Sequence, residues 1–346
     1  MVRLSLLITG TNFFFFLNIF LGCCCMFDVV CIGNALVDIT VNVDDSFIVG
    51  AGLKKGSMSL VDDVSQKFLL SSIMGMRSTL STGGSASNVA LGVACLGAKS
   101  CFIGGVGVDD NGSFFEDFLI SKGVIPRLNK DIKLSTGSAI TLISEDGERT
   151  FSTYLGAASS LSVDDLSGFP DANFLHVEAY LLENIVVKDL IIDLVNEAKS
   201  KGVKISFDLS DASLIQRIKP VLVEFLDLVD VVFANEAEAE AFTGESGGGA
   251  ARILSKVCEI AVVKLGEKGS VVVSGKNLIE VPVEVVVPVN TNGAGDAYAA
   301  GFLTGLSKNL SLSDCAELAS FLARETVLVE EASVQVSLKN KLDELF

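Results

Sequence analysis

Near the end of the chain, Asn290-Thr291-Asn292-Gly293-Ala294-Gly295-Asp296-Ala297-Tyr298 combines residue types suited to moving a charged group. Glycines let backbone N–H groups converge on one point, and the apolar run from Ala297 to Leu306 predicts a buried helix behind them. The start of such a helix is an anion site, because unpaired amides and the positive end of the helix dipole meet there. Asp296 is the odd member, since a carboxylate repels an anion unless it has other work. The economical reading makes it a base that takes a proton from an attacking hydroxyl while the turn holds a phosphate in transfer. A valine-rich run, Val281 to Val289, leads in and predicts a strand before the turn.

Other polar residues stand where apolar segments end. Asn34 and Asp38 follow the run Asp28 to Gly33; they suit a turn as well as a pair that bonds the vicinal hydroxyls of a sugar, and residue type alone leaves these level. Gly83-Gly84-Ser85 precedes a helix pattern reaching Leu96, with Ser85 as the expected N-cap and Asn88 unusual in its first turn. Arg149 follows the Glu145-Asp146-Gly147-Glu148 turn, as a solvated surface residue or a clamp on a phosphate. Asn235 and Glu238 suit the first turn of a helix or a hydrated Mg²⁺. Lys264, Gly266 and Gly269 lie in a strand-turn-strand that lets a nucleotide approach, as any tight hairpin would. His176, the single histidine, sits in the apolar run Phe174 to Leu182 and reads as a core or rim residue.

The elements that must position these groups alternate. Strands at Asp28–Gly33, Ser100–Ile103, Phe174–Ala179, Val203–Leu209, Val229–Ala234 and Ile260–Leu265 are interleaved, in the second half, with helices at Ile185–Lys201, Ser213–Leu226, Glu236–Thr243 and Gly248–Val257. That alternation predicts a three-layer α/β fold, a mostly parallel sheet with helices on both faces. Val37–Val43 reads as a half-exposed strand and Ser138–Ser144 with Thr150–Tyr154 as a hairpin, parts of a small β lid formed mainly from segments near 37–61 and 135–158. No long linker divides residues 27–346, which are expected to form one domain. The Gly104–Gly112 stretch lacks the G-x-G-x-x-G spacing, and no helix is expected to open directly on it.

Composition excludes whole classes. With 346 residues, nearly half of them apolar, the chain can bury a large core; a net charge of −17 argues against nucleic-acid partners. One histidine excludes multi-histidine metal sites and speaks against Ser-His-Asp or Cys-His catalysis. Cys23, Cys24 and Cys25 are adjacent, and Cys31, Cys95, Cys101, Cys258 and Cys315 are scattered without a C-x-x-C pair, which fits buried thiols in a reducing compartment. Residues 1–26 form an apolar leader with a Phe13–Phe16 block, resembling a signal peptide or short anchor. An artefact of the start site, with initiation at Met26, or a leader without function is preferred to export, and stable membrane association is not expected.

Together these pieces resemble the ribokinase-like family of sugar and nucleoside kinases, the PfkB carbohydrate kinases, from about Asp28 to the last helices. Asn290 to Asp296 is similar to the family's D-T-x-G-A-G-D signature; Gly83-Gly84 with Asn88 resembles its G-G-x-x-x-N, Gly104 to Gly112 its G-x-x-G-x-D-x-x-G, and Asn235 to Glu238 its N-x-x-E. The resemblance implies a ribokinase-like fold and an ATP-dependent kinase with Mg²⁺. Asp296 is then the base, and Gly293, Ala294 and Gly295 supply the anion hole. Asn34, Asp38, Gly84, Ser85 and Asn88 bind substrate, Arg149 binds phosphate, Lys264, Gly266 and Gly269 border the nucleotide, and Asn235 and Glu238 hold Mg²⁺ through water. Gly33-Asn34-x-x-x-Asp38 looks most like the adenosine kinases, with Leu36 and Leu155 beside a purine. The implied acceptor is the 5′-hydroxyl of a nucleoside, adenosine first. A free sugar such as ribose or fructose is the alternative, and a catalytically silent ligand-binding regulator the second. Asn290 and Glu331 depart from the family pattern near its monovalent-cation site, which leaves K⁺ activation open. A cytoplasmic monomer or homodimer is expected.

Overall fold

The computed structural model describes residues 26–162, 168–330, 332 and 338–339. Its strands are β1 Phe27–Ile32, β2 Leu36–Asn42, β3 Met58–Leu60, β4 Ser78–Gly83, β5 Ser100–Gly107, β6 Val124–Asp131 and β7 Gly137–Ile143. The series continues with β8 Arg149–Tyr154, β9 Ala172–Glu178, β10 Lys204–Asp208, β11 Val231–Asn235, β12 Ile260–Lys264, β13 Ser270–Ser274 and β14 Asn277–Val281. Nine of them form one sheet in the order β14-β13-β12-β11-β10-β9-β1-β5-β6, and five a smaller sheet, β3-β8-β7-β2-β4. In the large sheet the run from β12 to β6 is parallel, while β13 and β14 join as antiparallel edge strands.

Strand residues divide between two cores by alternation. Val29 and Cys31, Phe102, Phe174, Phe233 and Val262 face a core shared with the helices Ser85–Cys95, Ala294–Ser307 and Leu312–Val327. Val30 and Ile32, Cys101, Leu175, Val232 and Ala261 face the other, built with helices Ile185–Ser200, Ala212–Leu226, Glu236–Thr243 and Gly247–Leu254. Central strands buried on both faces read as continuous apolar runs, which is why the parallel sheet is visible in the sequence. His176 lies fully buried in β9, its Nδ1 2.8 Å from Ser206 Oγ, and burial pulls its pKa down to about 4. Cys31, Cys101 and Cys315 are buried thiols without a disulfide. Cys23–Cys25, most of the 1–26 leader and Glu331 lie outside the described residues.

Four local expectations need correction. No strand covers Val281–Val289: β14 ends at Val281, and Val285, Val287 and Val289 are exposed. Ser85 is not the N-cap; Gly84, at φ 96°, takes that position and Ser85 is the first helical residue. A helix does open inside Gly104–Gly112, because Asp109 accepts from Gly112 N–H and caps Asp110–Ser121. The small sheet also recruits Ser78–Gly83, whose polar sequence gave no strand signal, while Asp45–Gly50 within the 37–61 segment is helical.

Candidate functional site

The carboxyl ends of the parallel strands carry the polar groups, as expected where an open α/β sheet leaves a crevice. Asn34 follows β1, Glu178 ends β9, Asp208 ends β10, Asn235 ends β11 and Lys264 ends β12. Register aligns them, with Asp208 opposite Glu178 and Asn235 opposite Lys264. Over these ends lies a cleft of about 790 Å³ whose lining includes Ser85, Asp208, Glu238, Lys264, Gly293, Gly295 and Asp296.

The helix Ala294–Ser307 starts from Gly293, at φ 76°, and no side chain caps it. A Cβ on Gly293 would collide with the carbonyl oxygen of Ala332, so both conformation and space demand glycine. Asp296, in the first turn, receives Ser85 Oγ–H at 2.7 Å on one oxygen and Asn88 Nδ2 at 2.9 Å on the other. Burial raises its pKa to about 6; the two hydrogen bonds oppose this, nearby Asp208 adds to it and Lys264 offsets it. A carboxylate so tuned can accept a proton near neutral pH.

The helix that supplies Ser85 and Asn88 is fixed by a residue the sequence reading passed over. Glu178 accepts from Asn34 N–H and Asn34 Nδ2, both at 2.8 Å, and from Ala86 N–H at 2.9 Å. Burial pushes its pKa up to about 7. One carboxylate therefore ties Asn34 to the N-terminus of the helix that steers Asp296. Asp208, also missed, pairs with Lys264 at 2.9 Å. The signal was present in both cases: an acid interrupting an apolar run at a strand's carboxyl end.

Asp38 packs against Gly83, and burial lifts its pKa to about 7; no hydrogen bond to its carboxylate is seen among the described residues. Gly84 approaches the backbone of Asn34 so closely that any side chain would strike its carbonyl. Leu36 and Asp38 share the alternate, partly exposed face of β2. Arg149 stands apart from the lining of the cleft and donates to Asn290 Oδ1 at 2.9 Å. That oxygen also accepts Asn292 N–H, and Asn290 Nδ2 holds Glu330 C=O. Asn235 and Glu238 close a capping box, with Glu238 accepting from both the backbone and side chain of Asn235. Glu238 is pushed up to about 7 by burial and then by Asp208. Gly266 and Gly269 border the cleft beside Lys264, at the turn between β12 and β13.

Residues 26–338 match the family model described as pfkB family carbohydrate kinase. The chain belongs to this family. As a PfkB kinase it is a phosphotransferase acting on a hydroxyl group. It is 30% identical over 322 residues to an adenosine kinase of Saccharomyces cerevisiae, covering 85% of this chain and 93% of the relative. It is also 30% identical over 236 residues to a fructokinase of Vibrio alginolyticus, covering 66% and 77%. The solved adenosine kinase of Sinorhizobium meliloti superposes with a TM-score of 0.83 at 34% identity, over 92% of this chain and 99% of that one. The ribokinase-like α/β fold expected of a PfkB kinase is thus confirmed, and both nucleoside and sugar kinases stand among its relatives. Among the described residues, no helix is long and apolar enough to cross a membrane.

Proposed function

We propose that the chain transfers the γ-phosphoryl group of ATP to the 5′-hydroxyl of a nucleoside, with adenosine the first acceptor. The observation that carries the transfer is Asp296, an ionisable carboxylate in the first turn of an uncapped helix, aimed by Ser85 and Asn88. In this reading Asp296 takes the acceptor's proton while the amides from Gly293 to Asp296 receive the developing phosphoryl charge. Asn34, Asp38, Gly84 and Asn88 hold ribose hydroxyls. Asp38 suits that task because its carboxylate, which accepts no hydrogen bond among the described residues, offers acceptors to a diol. Leu36 flanks the base. Gly266 and Gly269 border the nucleotide, Arg149 clamps phosphate, and the smaller sheet serves as a lid on a single kinase unit.

The residues around Asp208 suit Mg²⁺. Their donors are oxygens, although among the described residues no group of three or more His, Cys, Asp or Glu is placed to hold a metal ion by itself. An ion that keeps most of its waters needs no more than one or two carboxylates, here Glu238 with Asn235 holding it through water. Mg²⁺, when bound, neutralises charge on the donor's phosphate oxygens. The whole reading sets the enzyme in the cytoplasm, where ATP is at hand.

The adenosine kinase similarity over 85% of the chain favours the nucleoside, while the fructokinase similarity supports a free sugar as the second reading. A panel of nucleosides and sugars with Mg-ATP separates them: adenosine is expected to give the highest kcat/KM, and a strict preference for ribose or fructose overturns the nucleoside. Asp296→Asn is expected to lower kcat by about 10²–10⁴-fold, and unchanged turnover removes Asp296 as base.

A further inference from the structure

Among the described residues, two cationic side chains line the cleft, Lys264 and Arg324. Arg324 is engaged by Glu284 and Glu325. Lys264 differs in position and in what its ammonium leaves open. It ends β12, its side chain is 13% exposed, and a Cβ on Gly295 would lie 3.0 Å from its Nζ. The ammonium therefore hangs directly over the turn that opens the helix of Asp296. Among the described residues its one hydrogen bond goes to Asp208 Oδ2 at 2.9 Å, which leaves two of its three N–H donors for a ligand. Burial works against the charge, but Asp208, Glu238 and Asp296 outweigh it and keep Lys264 protonated.

We propose that Lys264 is a catalytic cation, held ready by Asp208, whose ammonium contacts the phosphoryl group during transfer; this deepens the kinase reading above and rests on it. As the acceptor oxygen bonds to the γ-phosphorus, the bond from that phosphorus to the β,γ-bridging oxygen breaks. Its electron pair leaves with ADP, and the acceptor's proton passes to Asp296. Lys264 gives up no proton. Its charge faces oxygens whose negative charge shifts during the step, so it stabilises the transition state more than bound ATP. The bare Gly295 is what allows the ammonium to approach the amides.

The competing account is that Lys264 only neutralises Asp208, because breaking a buried pair leaves a costly lone charge. Lys264→Met is compared with the double variant Lys264→Met/Asp208→Asn, in which neither charge remains and folding is protected. Both are expected to lose about 10²-fold in kcat with KM for ATP changed less than threefold. A double variant restored to near wild-type turnover overturns the proposal.

A second readout uses the donor side alone and is independent of which acceptor the panel selects. Calorimetry of Mg-ADP with and without fluoroaluminate is expected to show that the double variant binds Mg-ADP within threefold of wild type, yet loses at least tenfold of the extra affinity for the phosphoryl mimic. Retention of that gain overturns the proposal even where the kinase reading stands; a wild type inert with every acceptor overturns the kinase reading instead. A third readout is the pH profile. Asp296 is faced by Ser85 and Asn88 from one helix, Glu178 from β9, Asp208 from β10, Cys31 from β1 and Lys264 from β12. Removing only the cation in Lys264→Met moves the acidic limb of kcat/KM upward from about 6; an unmoved limb counts against contact with the reacting centre.

Discussion

Asp296 illustrates how one side chain's chemistry is set by its neighbours. Burial alone would raise its pKa further, and the Ser85 and Asn88 donors, which bond the ionised form, restrain it near 6. A base must be ionised to act, so kcat/KM is expected to fall as pH drops below about 6. Ser85→Ala removes a hydrogen bond to the charged form, and the acidic limb is expected to move up by roughly 0.5–1 unit, with a loss of about 1.5- to threefold at pH 6.5. A pH–rate series on the two proteins decides it, and a limb that stays in place separates Ser85 from the base. Ser85 was legible as a helix start but not as a partner of Asp296, because that contact joins residues 211 positions apart. Glu178 and Asp208 were harder still. An acid at a strand end looks like any solvated acid until register brings it beside Asn34 or Lys264.

At the scale of the element, the turn before the helix Ala294–Ser307 depends on a backbone shape that only glycine adopts without strain. Gly293→Ala asks a Cβ to occupy the place of the Ala332 carbonyl at a positive φ. The turn must shift, and with it the amides and Asp296. The expected result is a loss of about 1–3 kcal/mol in stability and a fall in kcat well beyond what the stability loss implies, read by thermal denaturation beside initial rates. Normal turnover in a destabilised protein would show that the turn tolerates displacement. The glycines were legible from spacing, whereas the Val281–Val289 strand was not correct. β13 begins at Ser270, directly opposite Val281, so residues beyond Val281 have no ladder to join; Pro282 moreover lacks an N–H. β-branched residues fit a strand only where a partner exists, and this run instead lines the cleft with Val283, Val285 and Val286.

For the whole molecule, the collected site should be visible in stability against pH. Asp38, Glu178 and Glu238 sit at about 7 and Asp296 at about 6, each raised chiefly by burial above ordinary values of 3.8 or 4.5. A raised acid binds its proton more tightly folded than unfolded, so stability falls as pH climbs from the unfolded pKa through the folded one. His176 acts oppositely, its pKa lowered from 6.5 to about 4, but it is neutral in both states above about pH 6.5 and drops out. Between pH 6.5 and 8 the carboxylates therefore dominate, at on the order of 1 kcal/mol per pH unit for each group still protonated. The ligand-free protein is expected to lose roughly 3–8 °C in Tm across that interval. Mg²⁺ with ADP should flatten the slope, because a cation beside Glu238 favours its ionised form. Calorimetry at constant ionic strength gives the answer: a flat or rising Tm would mean that these carboxylates are hydrated rather than enclosed. The sheet that gathers them was readable because its strands are apolar on both faces. The gathering itself was not, since a net charge of −17 gives no sign that Asp208, Glu238 and Asp296 converge on the buried Lys264.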